Sequence, residues 1–139
     1  MDLRAKAIDI RKDIVNLIYH AGTGHIGGDL SVTDILVDLY YKQMNVGPDK
    51  VQDPERDRFV LSKGHCVEAL YTILADKGFF PKEELQTYSQ YLSKFIGHPN
   101  NKIAGVEVNS GSLGHGLAVG VGMALAAKWI SALIGPTSS

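Results

Sequence analysis

Four of the five histidines in this 139-residue chain directly follow a glycine: Gly24-His25, Gly64-His65, Gly97-His98 and Gly114-His115. Each falls in a predicted loop or at the end of an element. Imidazole donates, accepts and transfers protons near neutral pH, and a glycine beside it lets backbone approach a ligand closely. Four such positions suit one shared polar pocket, which two chemistries could use. Metal ligation is the first, since imidazole suits zinc and copper. The spacing speaks against it: there is no HxH or HxxxH pair, and carboxylates beside the histidines are few. The second is recognition of a phosphorylated or polyhydroxylated ligand beside a cofactor held by glycine loops. Cys66 follows His65 and raises the question of a thiol nucleophile, but a small buried helix residue is the better reading. His20 reads as a helix C-terminal residue favoured by the dipole.

Val106 to Gly116 (VEVNSGSLGHG) is the other stretch suited to ligand contact. It is a small-residue loop that runs into an Ala- and Gly-rich segment of helical length, Leu117 to Ala127. The first backbone N–H groups of that helix are free for an anion or a polar cofactor edge. The plain alternative is tight packing of Gly114 and Gly116 against a neighbouring strand.

Several elements must position these residues. Leu3, Ala7, Ile10, Ile14, Leu17, Ile18 and Ala21 recur at helical spacing, so residues 3–21 form an amphipathic helix ended by Gly22. Residues 22–30 read as a glycine loop. Ser31 is the expected N-cap of a second helix, with Val32, Ile35, Leu36, Leu39 and Tyr40 as its buried face. Arg58 to Ser62 is the only convincing strand, short and apolar as in a buried parallel sheet. Cys66 to Lys77 is helical and closed by Gly78, and Pro81 opens a further helix at N1. Nothing regular is expected over Ser93–Ser112. Leu113, Leu117, Val121, Leu125 and Trp129 form one stripe of a last helix. With a single strand, these helices carry apolar stripes that no sheet covers, so a marginal body, oligomeric or dependent on a partner, is expected.

Length and composition describe one globular domain. A net charge of −1 offers no reason to expect nucleic acid. The single cysteine permits no internal disulfide and the first residues contain no apolar signal segment, which together fit a cytoplasmic protein. Lys128 interrupts the apolar stretch Leu117–Gly135, whose glycines and alanines carry little transfer free energy, so no membrane span is expected.

Four motifs occur in order: GHIGG at 24–28, DRFVLSKGH at 57–65, GHP at 97–99, and GVE at 105–107 continuing to GSLGHG at 111–116. Together they resemble the N-terminal, diphosphate-binding part of a transketolase, over about residues 5–128, especially the kind encoded as two separate subunits. The resemblance implies a three-layer α/β thiamine diphosphate-binding fold, here a mostly helical fragment with about one parallel strand. Residues 1–128 would be a partial domain of that type and 129–139 a divergent or non-native tail. The implied activity is transfer of a two-carbon ketol unit between sugar phosphates, with thiamine diphosphate and Mg2+.

By position, His25 resembles the family histidine that meets substrate carbonyl and hydroxyls. His65 resembles the one at the diphosphate and the reacting end of the cofactor, and His98 the one near the donor's terminal hydroxyl. Gly111, Ser112 and Leu113 resemble the cofactor-contacting loop. His115 stands where many members have glutamine. The family's Gly-Asp-Gly motif and later asparagine, which bind the metal, do not occur in these residues, so no metal ligand is assigned. The pyrimidine-binding domain is expected on a partner chain, and the chain alone is expected to be inactive. The competing readings are a related enzyme, such as a deoxyxylulose phosphate synthase, and a non-catalytic interaction module.

Overall fold

The computed structural model describes residues 1–134, the last four by their backbone alone. Helix α1 spans Leu3–Ala21, as its periodicity predicts. The Asp2 carboxylate caps it by accepting from the N–H groups of Arg4 and Ala5. Gly22 ends it at φ 68°, in the left-handed region that costs glycine little, and donates to the Ile18 carbonyl. Ala7, Ile10 and Ile14 are its buried face.

Helix α2 spans Ile26–Asp38 and begins five residues before the expected Ser31 cap. The 22–30 segment is therefore only partly a loop. Gly27 and Gly28 are helical, and the lack of a side chain at Gly28 is what lets α2 lie on the next element: a Cβ there would stand 2.6 Å from Cys66 Sγ. Ser31 instead donates to the Gly28 carbonyl one turn back. The buried face also differs from the one expected. Asp29, Thr33, Leu36 and Val37 are buried, while Ile35 is 61% exposed. One π-type turn, Leu39–Gln43, follows, and it buries Tyr40.

Helix α3 (Val67–Asp76) is the centre of the body, entered through a 3-10 turn at Gly64–Cys66. Every residue from Val67 to Ala75 is buried. At about 1.5–3 kcal/mol for each fully buried large aliphatic side chain, Leu70, Ile73 and Leu74 anchor the packing of α1 and α2 on this helix. The chain after Pro81 forms a 3-10 segment, Lys82–Thr87, not the expected α-helix, with Pro81 just outside it.

No strand exists among the described residues. Arg58–Ser62 joins no ladder, and it turns at its end, where the Ser62 N–H donates to the Val60 carbonyl at 3.1 Å. Leu61 is still buried. Helices α1, α2 and α3 cover one another's apolar stripes, so the body is helix-on-helix where a sheet was expected to be needed.

Helix α4 runs His115–Ile134. Its first turn is docked: a Cβ on Gly116 would stand 2.7 Å from Ser62 Cα. The tight packing given as the plain alternative is thus present at Gly116, against Val60 and Ser62 and not a strand, and absent at Gly114, where a Cβ would meet nothing within 4 Å. Further along, Leu117, Val121, Leu125 and Trp129 are each more than half exposed. The first six residues of the 129–139 segment continue α4, and 135–139 lie outside the described residues. No helix among the described residues is long and apolar enough to cross a membrane.

Candidate active site

Three of the glycine-linked histidines converge, each from a different segment. His25 is the N-cap residue of α2, and its side chain makes no capping bond, which leaves the ring available. His65 lies in the 3-10 turn that enters α3. His98 sits in the irregular chain beyond Phe95, where the Tyr71 hydroxyl donates to its carbonyl oxygen at 3.0 Å. The His25 ring meets the His65 ring edge-on with centroids 5.4 Å apart, and the His98 ring with centroids 6.0 Å apart. His25 is thus the middle of the trio.

The Ser110–Leu113 loop closes one side. A Cβ on Gly111 would lie 3.4 Å from His98 Cδ2, and one on Gly64 would lie 2.8 Å from Ser110 Oγ and 3.1 Å from Gly111 N. Glycine is therefore needed at Gly64, where backbone meets backbone, while a Cβ at Gly111 would make only ordinary contact with the His98 ring. Ser110 Oγ also donates to the Leu61 carbonyl at 2.8 Å, pinning the loop to the Arg58–Ser62 segment. Ser112, Leu113 and His115 are exposed at the mouth of this loop. Among the described residues no ring contact joins His115 to the other three histidines.

Behind the trio lie polar residues that the ordered motifs do not single out. Glu68 is fully buried, and its Oε1 accepts from the His25 backbone N–H at 3.1 Å and the Tyr88 hydroxyl at 2.7 Å. The same oxygen lies 3.7 Å from His25 Nδ1. Asp29 is also fully buried, and its Oδ1 accepts from the Ala69 N–H at 3.0 Å. Burial pushes the Asp29 carboxyl up to about 7, against the Ala69 N–H and with the charge and hydrogen bond of Glu68 adding to the rise. Burial likewise raises the Cys66 thiol, which fits a packed residue and not a nucleophile. Glu68 is the one charged residue in the run from Val67 to Ala75, a weak signal, and nothing comparable marks Asp29.

The histidines offer nitrogen donors, whereas Mg2+ needs several oxygen ligands. Among the described residues no three His, Cys, Asp or Glu side chains group closely enough to hold a metal ion. These residues do not fit magnesium. Gly111 is exposed beside the His98 ring and leaves room there for a ligand edge. Two concavities lie elsewhere. One, of about 400 Å³, includes Tyr40 and the Arg56–Glu107 ion pair. The other, of about 600 Å³, lies between α1 and the Lys82–Thr87 segment. Neither includes the histidine trio, so the side-chain chemistry, not the depth of a cleft, marks this site.

Residues 3–137 match the family described as transketolase, thiamine diphosphate binding domain. The chain belongs to the transketolase family. This transketolase domain is 55% identical to one subunit of the apulose-4-phosphate transketolase of Phocaeicola vulgatus, over 85% of the chain and 42% of that protein. It is 43% identical to a 6-deoxy-6-sulfo-D-fructose transketolase subunit of Clostridium sp., over 92% of the chain and 47% of that protein. Among solved structures, Campylobacter jejuni transketolase superposes with a TM-score of 0.86 at 35% identity, over 93% of the chain and 20% of that protein. The transketolase domain thus spans less than half the length of the curated relatives it matches. Its fold is that of the α/β transketolases, of which these residues form a mostly helical portion.

Proposed function

We propose that this domain supplies the diphosphate-side half of a thiamine diphosphate-dependent enzyme that transfers a two-carbon ketol unit between sugar phosphates. The observation that supports it is the meeting of His25, His65 and His98 beside the Gly111 loop, from three separate segments. Thiamine diphosphate, when bound, supplies the electron sink for carbon–carbon cleavage. His65, Gly111, Ser112 and Leu113 hold it, with His115 at the edge of the same loop. His25 and His98 meet the sugar, orient its hydroxyls and carbonyl, and exchange protons with them. Residues 1–128 are the working unit. Magnesium ligands and the pyrimidine-binding domain come from sequence beyond these residues or from a second polypeptide. Two relatives being named as subunits supports a hetero-oligomeric assembly. The setting is cytoplasmic.

The test uses the assembled enzyme and the chain alone. His65→Ala should weaken thiamine diphosphate binding by calorimetry and lower turnover. His25→Ala and His98→Ala should retain cofactor affinity and lose turnover by about ten- to ten-thousand-fold. The chain alone should show no turnover. Cofactor affinity unchanged by His65→Ala, or lost with His25→Ala and His98→Ala, would overturn the assignment of roles.

A further inference from the structure

Glu68 and Asp29 each leave one buried oxygen without a protein partner, Oε2 and Oδ2. Both side chains have no solvent exposure, and Asp29 of α2 reaches across to the N–H of Ala69, the residue after Glu68 in α3, at 3.0 Å. Two ionised carboxylates side by side in such surroundings repel and lack solvation. One proton between them removes the repulsion and gives both orphaned oxygens a partner. We propose that Asp29 and Glu68 share one proton across Oδ2 and Oε2, and that Glu68 thereby acts as a positioning residue that fixes His25 in the histidine trio.

The hydrogen bonds decide which acid holds the proton. Glu68 Oε1 already accepts two donors, the His25 N–H and the Tyr88 hydroxyl. Asp29 accepts one, from Ala69. Asp29 therefore carries the proton and donates it to Glu68 Oε2. The other groups facing the pair are Lys63, Cys66 and Tyr71. Lys63 is the one cation among them, and it is occupied by the Gly28 carbonyl and Ser31 Oγ, both at 3.3 Å. Its charge favours ionised Asp29 but does not outweigh burial. With Glu68 charged, an acceptor stands 3.7 Å from His25 Nδ1 and draws the ring proton to that nitrogen, while the backbone bond fixes where the ring begins. Only the catalytic consequence rests on His25 as a substrate contact. The shared proton is tested without substrate or cofactor.

The experiment is carboxyl 13C and imidazole 15N NMR of the full labelled chain across pH 4 to 9. One carboxyl, absent from the spectrum of Asp29→Asn, should titrate near neutral pH. The amide introduced by that substitution can donate to Glu68 as the proton does, so the His25 amide resonance should stay in place. Glu68→Gln removes the charge, and should move the His25 ring from the Nδ1–H form toward the Nε2–H form, a change that loss of packing alone would not produce. Urea unfolding gives an independent readout. A carboxyl that titrates high when folded and near 4 when unfolded keeps its proton only in the folded state between those values. Stability therefore falls as pH rises through that window. Asp29→Asn lacks this slope, so it should gain on the natural chain between pH 5 and 8. Two carboxyls that both titrate below pH 5, a stability difference that does not change with pH, or a His25 tautomer unmoved by Glu68→Gln would overturn the proposal.

Discussion

The Tyr71 hydroxyl, rooted in the buried run Val67–Ala75 of helix α3, donates to the carbonyl oxygen of His98 at 3.0 Å. One hydrogen bond thus ties an irregular segment to the most thoroughly buried helix of the body. Tyr71→Phe removes it and leaves the ring packing against Phe95 intact. A cost of about 0.5–1.5 kcal/mol is expected, with broadened His98 ring signals by NMR. Unaltered His98 signals and unaltered stability would show that the loop is held by other contacts.

Gly116 and Gly122 lie on the same helix and should respond in opposite senses to alanine. A Cβ at 116 would press on the Ser62 backbone at 2.7 Å, whereas at 122 nothing lies within 4 Å. Gly116→Ala should destabilise by about 1–3 kcal/mol through overpacking. Gly122→Ala should be neutral or gain up to about 1 kcal/mol from helix propensity. Chemical denaturation of the two variants checks this, and equal effects would mean that α4 is not docked as described.

The acid side of the stability profile should depend on Asp76. Burial alone would raise its carboxyl, but hydrogen bonds from Tyr41 and Lys6 outweigh that and hold it below the ordinary carboxylate range. A depressed carboxyl contributes stability above its unfolded pKa and loses it as pH falls through the folded value. Asp76→Asn should therefore be less stable than the natural chain at pH 7, with the gap closing below about pH 4. Urea midpoints at pH 3, 5 and 7 would test this, and a constant gap would remove the linkage.

Ile35 and Leu36 test the buried face of α2. Leu36 is fully buried and Ile35 is 61% exposed. Leu36→Ala should cost about 2–5 kcal/mol, and Ile35→Ser should stay within about 0.5 kcal/mol. Equal thermal destabilisation by both would restore the face read from the sequence.

Helices α1 and α2 mark where the sequence is legible and where it is not. The apolar periodicity and the glycine stop of α1 are local signals, and both ends of that helix are readable. The start of α2 is not, because Gly27 and Gly28 look like loop residues until Cys66 is seen against them. Arg58–Ser62 has strand composition, but strand character needs a neighbour, and no local pattern supplies one. The trio His25, His65 and His98 is legible as a set because each follows a glycine in an ordered motif. The acids behind it escape notice for the opposite reason: Asp29 and Glu68 each stand alone in sequence, and only the packing of α2 on α3 brings them together. His115 groups with the others by its glycine, although no ring contact joins it to the three.

The only tryptophan of the chain, Trp129, sits on the uncovered side of α4 at 68% exposure, and the buried core contains none. Tryptophan fluorescence of this protein therefore reports on the surroundings of one helix and is nearly silent about unfolding of the core. The free chain should emit at the long wavelengths of a hydrated indole. A shift to shorter wavelength on adding another polypeptide would register the covering of α4 without any label.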